Sequence, residues 1–178
     1  MTRQGLTFVV RATALALAAG LSACAADNAP TLSQPSFYQS LAQHGAALDA
    51  ESAASMISNY RANNGLTTVA LDPKLMRLAQ EQAQAMAARN KMDHDVAGTF
   101  KTRISRSGFD AKVAAENVSA GYHTMAEAFS GWRDSPHHRA NMLLKGASHM
   151  GIAAVYAPGT KYRVFWALIL AAPDDKRG

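Results

Sequence analysis

Two histidines, a glutamate and a serine are the residues of this 178-residue chain whose types and spacing could do chemistry. They lie in three segments that set a polar or ionisable group beside an apolar anchor: Met92-Asp93-His94, Ala115-Glu116-Asn117-Val118, and Trp132 to Leu143 with Ser135 and His138. Two imidazoles and a carboxylate make an acceptable zinc set with a position open for water. Glu116 could then activate that water for hydrolysis, which makes it the candidate catalytic base. The intervals, 22 residues from His94 to Glu116 and 22 more to His138, match no short metal motif. Polar side chains in apolar surroundings are more commonly satisfied by hydrogen bonds than by metals. Ser135 beside His138 could be read as a nucleophile with Glu116 orienting the imidazole. It also stands where a helix starting at Pro136 needs its N-cap, and no G-x-S-x-G elbow surrounds it. Glu127 belongs to a capping box, and His137 and Arg139 are expected to face solvent. His123 and His149 sit at element ends, as surface or cap residues.

The elements that must position these groups follow from periodicity and punctuation. Asp49 is a plausible N-cap for a helix with Ala53, Met56/Ile57 and Tyr60 at helical spacing, stopped by Gly65. Asp72-Pro73 opens a second helix to about Asn90, with Met76, Ala79, Ala83 and Met86/Ala87 on one face. A short helix is expected from Phe100 to Ser107. Thr124-Met125-Ala126-Glu127 caps another containing Ala128, Phe129 and Trp132, and Ser135-Pro136 ends it and starts one more through Leu144. The period then changes. Met150 to Tyr156 and Tyr162 to Leu170 read as strands joined by turn chemistry at Ala157-Pro158-Gly159-Thr160-Lys161. Both faces of the last strand are apolar, so helices must cover it on two sides. The expected fold is α/β: a three-layer α/β/α sandwich with a mostly antiparallel sheet.

Three signatures in order carry a family likeness: Asn59-Tyr60-Arg61 with Gly65-Leu66 and Leu71-Asp72; Glu116-Asn117-Val118 with Gly121; and Trp132-(x)₂-Ser135-Pro136-(x)-His138-Arg139-(x)-Asn141 with Gly151. Together they resemble the CAP superfamily, the cysteine-rich secretory, antigen 5 and pathogenesis-related 1 proteins, in its small bacterial branch. The likeness runs from about Ala53 to Ala171. It implies a surface cleft built by His94, Glu116, Ser135 and His138, with His94 and His138 as ligands of a divalent cation such as zinc in some members. The family's second glutamate falls on Ser135, and a hydroxyl supplies neither fixed negative charge nor a strong base. The resemblance thus implies a ligand-binding module for a peptide, glycan or lipid, with a metal-dependent hydrolase and a lipid- or sterol-binding protein as alternatives.

Residues 1–23 read as a signal peptide: Arg3 and Arg11 without an acid, then the apolar run Ala12 to Leu21, too short to span a membrane. Leu21-Ser22-Ala23-Cys24 resembles the bacterial lipobox, and Cys24 is the chain's single cysteine. Acyl chains bind a bilayer at about 0.8 kcal/mol per buried CH₂, so a lipidated Cys24 anchors stably. Residues 24–48 are expected to be the lipidated cysteine and tether, 49–172 the domain and 173–178 a polar tail. Ala25 in place of aspartate directs the chain to the outer membrane if its host is Gram-negative. Without Arg3 and Arg11 the 18 basic residues fall to 16 against 13 acidic ones, and no basic cluster with interleaved aromatics marks a nucleic-acid partner. A monomer is expected. Mass spectrometry of the exported protein should find acylated Cys24 at its N-terminus; an unmodified Cys24, or a mature chain lacking it, overturns the anchor.

Overall fold

Strand β4 (Arg163–Pro173) is the element around which the protein is arranged. Val164, Trp166, Leu168 and Leu170 line one of its faces, Phe165, Ala167, Ile169 and Ala171 the other, and none is more than 1 % exposed. A strand apolar on both faces must lie inside a sheet covered on two sides, and it does. The computed structural model describes residues 34–174, so the signal segment, Cys24 and the last four residues lie outside it. β4 pairs antiparallel with β3 (His149–Ala157) and with β2 (Ala111–Ala120), and the two-residue β1 (Ala70–Leu71) pairs parallel with β3. The order is β1-β3-β4-β2, which leaves β2 at one edge.

Helices α1 (Ala50–Asn63), α4 (Met125–Asp134) and α5 (Pro136–Met142) share a core with the Val164 face. Helices α2 (Pro73–Arg89) and α3 (Phe100–Arg106) close the Phe165 face. The three-layer α/β/α sandwich with a mostly antiparallel sheet is therefore the fold. Trp132 of α4 meets Trp166 edge to face, ring centroids 6.2 Å apart, a geometry favoured by the ring quadrupoles.

The helix ends follow local chemistry. Asp49 and Asp72 accept from backbone N–H groups of the first turns of α1 and α2. Thr124 and Glu127 form a reciprocal capping box on α4. Asn90 closes α2 in the left-handed region, φ 48°, where asparagine is tolerated better than most side chains. One detail departs from the sequence reading. The buried stripe of α2 is Leu75, Leu78, Ala79, Gln82, Ala83 and Met86, while Met76 and Ala87 are only half-buried. Ahead of α1, Ser36–Tyr38 forms a 3-10 turn, Leu41 and Ala42 are buried, and the Leu41 N–H donates to the His123 carbonyl at 2.7 Å.

A buried arginine ties the helical layer to the sheet. Arg61 of α1, fully buried, donates to the carbonyls of Thr67, Met142, Leu144 and Ala147 at 2.9–3.0 Å. Burial lowers its pKa from the ordinary arginine value, but the guanidinium starts so high that it stays charged. Its acceptors span the end of α5 and the loop entering β3, so one side chain sets where α5 stops.

Gly151 of β3 faces α2 so closely that a Cβ there would strike the backbone carbonyl group of Leu75. Gly151→Ala is expected to destabilise the domain by about 1–3 kcal/mol through overpacking, read as a lowered midpoint in denaturant. Unchanged stability would mean that α2 moves freely off the sheet.

Candidate functional site

Because side chains alternate along a strand, β2 sends neighbouring residues into opposite layers. Glu116 lies opposite Ile169 and turns toward α2 and α3; Asn117 lies opposite Leu168 and turns toward α5. Each fixes one of the two histidines, so His94 and His138 arrive from different layers at the β2 edge.

On the Glu116 side the anchor is electrostatic. The Glu116 side chain is 1 % exposed, and Nη2 of Arg103 donates to both its oxygens at 2.8 Å. Nδ1 of His94 lies 2.8 Å from Oε1 of the same carboxylate. The His94 backbone is held as well: its carbonyl accepts from Nη2 of Arg103 and from Nε2 of Gln82, which also reaches the Asp93 carbonyl. Asp93 adds a turn by accepting from the Asp95 N–H at 2.9 Å. The imidazole, 51 % exposed, is thus the accessible end of a buried scaffold.

On the other side the anchor is neutral. Asn117 donates to the His138 carbonyl at 2.9 Å and accepts from Asn141 at 2.9 Å, while Asn141 also donates to the Glu116 carbonyl at 3.0 Å. This asparagine pair stitches α5 to the edge strand. Ser135 is half-buried at the junction of α4 and α5. It occupies the N-cap position, but its hydroxyl makes no capping bond, which corrects the role read for it from the sequence. His137 and Arg139 are exposed, and His149, at the start of β3, meets the Ser148 hydroxyl and the Phe109 ring.

The two environments push the histidines apart. The hydrogen bond that Glu116 accepts from His94 raises the pKa of His94 against partial burial, and the charge of Arg103 opposes the rise. Partial burial lowers the pKa of His138, and the charges on His94 and His137 lower it further. The shifts run in opposite directions, so His94 keeps its proton to higher pH than His138.

The donor set does not fit a resident zinc ion. Both oxygens of Glu116 are committed to Arg103, and among the described residues no group of three or more His, Cys, Asp or Glu side chains could hold a metal ion. Arg103 and Gln82 are the functional residues the sequence reading missed. Gln82 had a signal, a polar side chain on the apolar stripe of α2. Arg103 had almost none, since surface-type basic residues surround it in α3.

An α/β/α sandwich with two histidines at an edge strand defines the class of protein. The model of the cysteine-rich secretory protein family, CAP, matches residues 54–170, and the chain belongs to that family. It is 30% identical over 97 residues to YkwD of Bacillus subtilis (strain 168), a match that covers 53% of this chain and 38% of YkwD. Among solved structures it is similar to an outer surface protein of Borrelia burgdorferi, TM-score 0.64 at 18% identity over 71% of this chain and 93% of that one. It is also similar to an extracellular SCP-domain protein of Bacillus anthracis, TM-score 0.60 at 22% identity over 68% and 39%. The identities are low, and the likeness to these structures concerns the fold alone.

Two measurements probe the scaffold. Arg103→Met leaves the Glu116 carboxylate buried with His94 as its remaining partner, and a loss of about 3–5 kcal/mol of stability is expected in denaturant unfolding; a loss under ~1 kcal/mol would show that the pair is not structural. In NMR titrations His94 should titrate above, and His138 below, the ordinary histidine value of about 6.5. Because its folded pKa is raised, His94 contributes stability that is complete below the ordinary value and lost as pH rises through the raised one. His138 works in the opposite sense, its contribution lost as pH falls through its lowered value. Glu116→Gln should bring His94 down toward the ordinary value; an unmoved His94 would remove Glu116 as the cause.

Proposed function

We propose that this CAP domain is a ligand-binding module of the cell envelope, lipid-anchored through Cys24, with His94 and His138 contacting a peptide or glycan. The observation that carries this reading is the state of Glu116. A general base must reach a water or a substrate proton, and this carboxylate is buried with both oxygens on Arg103. The hydrolase alternative needs Glu116 free and His94 and His138 joined by a further metal donor, and Ser135 supplies no carboxylate. What remains accessible is a pair of imidazoles whose pKa values are pushed in opposite directions, His94 up and His138 down, suited to the carboxylates, amides and hydroxyls of envelope polymers. The extracellular and outer-surface proteins among the similar structures agree with an envelope location.

Binding of solubilised envelope glycopeptides by the full chain should weaken about tenfold or more in His94→Ala/His138→Ala, the loss of one or two charge-assisted hydrogen bonds. Equal binding by wild type and double variant would sink the cleft as the site. Turnover of the same fragments that disappears in Glu116→Gln would replace this reading with the hydrolase.

A separate feature favours the lipid-binding alternative. Between α1 and α4 lies a groove of about 630 Å³ walled by Phe37, Met56, Tyr60 and Phe129, with Glu51 and Arg133 on its lining. Its volume lies in the ordinary range of small-molecule sites, about 300–1,000 Å³. Saturable uptake of a fluorescent fatty acid that Met56→Arg abolishes, and that the double histidine variant keeps, would establish it; no uptake would remove it.

A further inference from the structure

Arg103 has a second environment that neither the histidine cleft nor the fold requires. It lines a cavity of about 400 Å³ between α2 and α3, together with Lys74, Arg77, Glu81 and Arg106. Four cationic side chains thus face one carboxylate in the lining, and Glu116, behind Arg103, supplies one more negative charge. Arg77 and Arg106 are exposed, so their heads can turn inward at little cost. Lys74 is drawn over the α3 end by donating to the Gly108 carbonyl at 2.6 Å.

The decisive detail is the guanidinium of Arg103. The residue is 6 % exposed, its Nε donates to the Gly98 carbonyl and its Nη2 to His94 and Glu116, but its Nη1 is buried with no partner among the described residues. A buried unmade hydrogen bond of a charged group is costly, on the order of 1–3 kcal/mol or more, and native proteins rarely leave one without a use. An arginine fork with an unpaired donor, ringed by exposed cations, is complementary to a tetrahedral oxyanion, because guanidinium groups match the spacing of phosphate oxygens.

We propose that the α2–α3 cavity is a phosphate-binding site, taking a phosphate monoester or the phosphodiester headgroup of a lipid, with Arg103, Arg77 and Arg106 as its donors. Arg103 then bridges two sites. Negative charge seated on it offsets the positive field that opposes His94 protonation, so a bound phosphate strengthens the cationic character of the cleft.

The test uses the full chain at constant ionic strength, titrated with inorganic phosphate and, separately, with glycerophosphoglycerol, the water-soluble headgroup of phosphatidylglycerol. NMR follows both the backbone of α2 and α3 and the His94 ring. Saturable binding of either probe, with a His94 titration displaced upward by the bound probe, is the expected result. Tighter binding of inorganic phosphate assigns the site to soluble monoesters, and tighter binding of the diester assigns it to lipid. Arg77→Glu/Arg106→Glu should weaken binding about tenfold or more, while Arg89→Glu/Lys145→Glu, with the same change in net charge elsewhere, should not. Should the first double variant not fold, Arg77→Gln/Arg106→Gln replaces it with the same expectation. Absence of saturable binding by both probes, or equal loss in the cavity variant and its charge-matched control, overturns the proposal.

Discussion

A carboxylate removed from water must find compensation for lost hydration, and Glu116 finds most of it in a buried guanidinium, with the His94 imidazole beside it. The two oxygens of Glu116 and Nη2 of Arg103 lie 2.8 Å apart in a setting where both side chains are almost wholly buried. Such a pair adds little net stability over well-packed apolar residues, but breaking it is expensive. Its effect is therefore to specify. Arg103 sits in α3, Glu116 in β2 and His94 on the loop after α2, and the pair allows these three elements only one mutual placement. The placement of His94 descends from that contact, while its raised pKa comes from its own hydrogen bond to Glu116, against the charge of Arg103.

The placement of His138 rests on different physics. Asn117 and Asn141 are neutral, so they fix His138 by hydrogen-bond geometry without a charge to favour its protonation. The contrast between the two histidines is thus a consequence of strand alternation: adjacent residues of β2 face a layer with an ion pair and a layer with an amide pair. An edge strand also needs its unpaired backbone groups managed, and Asn141 meets the Glu116 carbonyl there. Site and edge protection share the same residues.

Arginine performs the long-range work in a chain with one cysteine. No intrachain disulfide can form, so order between distant segments comes from buried polar contacts laid over the β4 core. Arg61 gathers four carbonyls across 86 residues of sequence separation, and Arg103 gathers a carboxylate and two carbonyls. Replacing covalent links by buried guanidinium groups makes the fold dependent on excluding water from them, which the two apolar layers on β4 provide.

The sequence by itself determined the elements whose signals are local. The two apolar faces of β4, the Asp72-Pro73 start of α2, the capping box of α4 and the break at Ser135-Pro136 each lie within one stretch of chain, and each is found where periodicity and cap chemistry put it. The motifs also carried the family, and they named His94, Glu116 and His138 as candidates. Tertiary structure decided what those residues do. Strand β2 carries no strict alternation and exists because β4 offers it a partner. Glu116 is a counter-ion rather than a free base because Arg103, thirteen residues away, folds back onto it. That choice depends on burial and on which groups meet in space, quantities that no pattern of neighbours along the chain encodes.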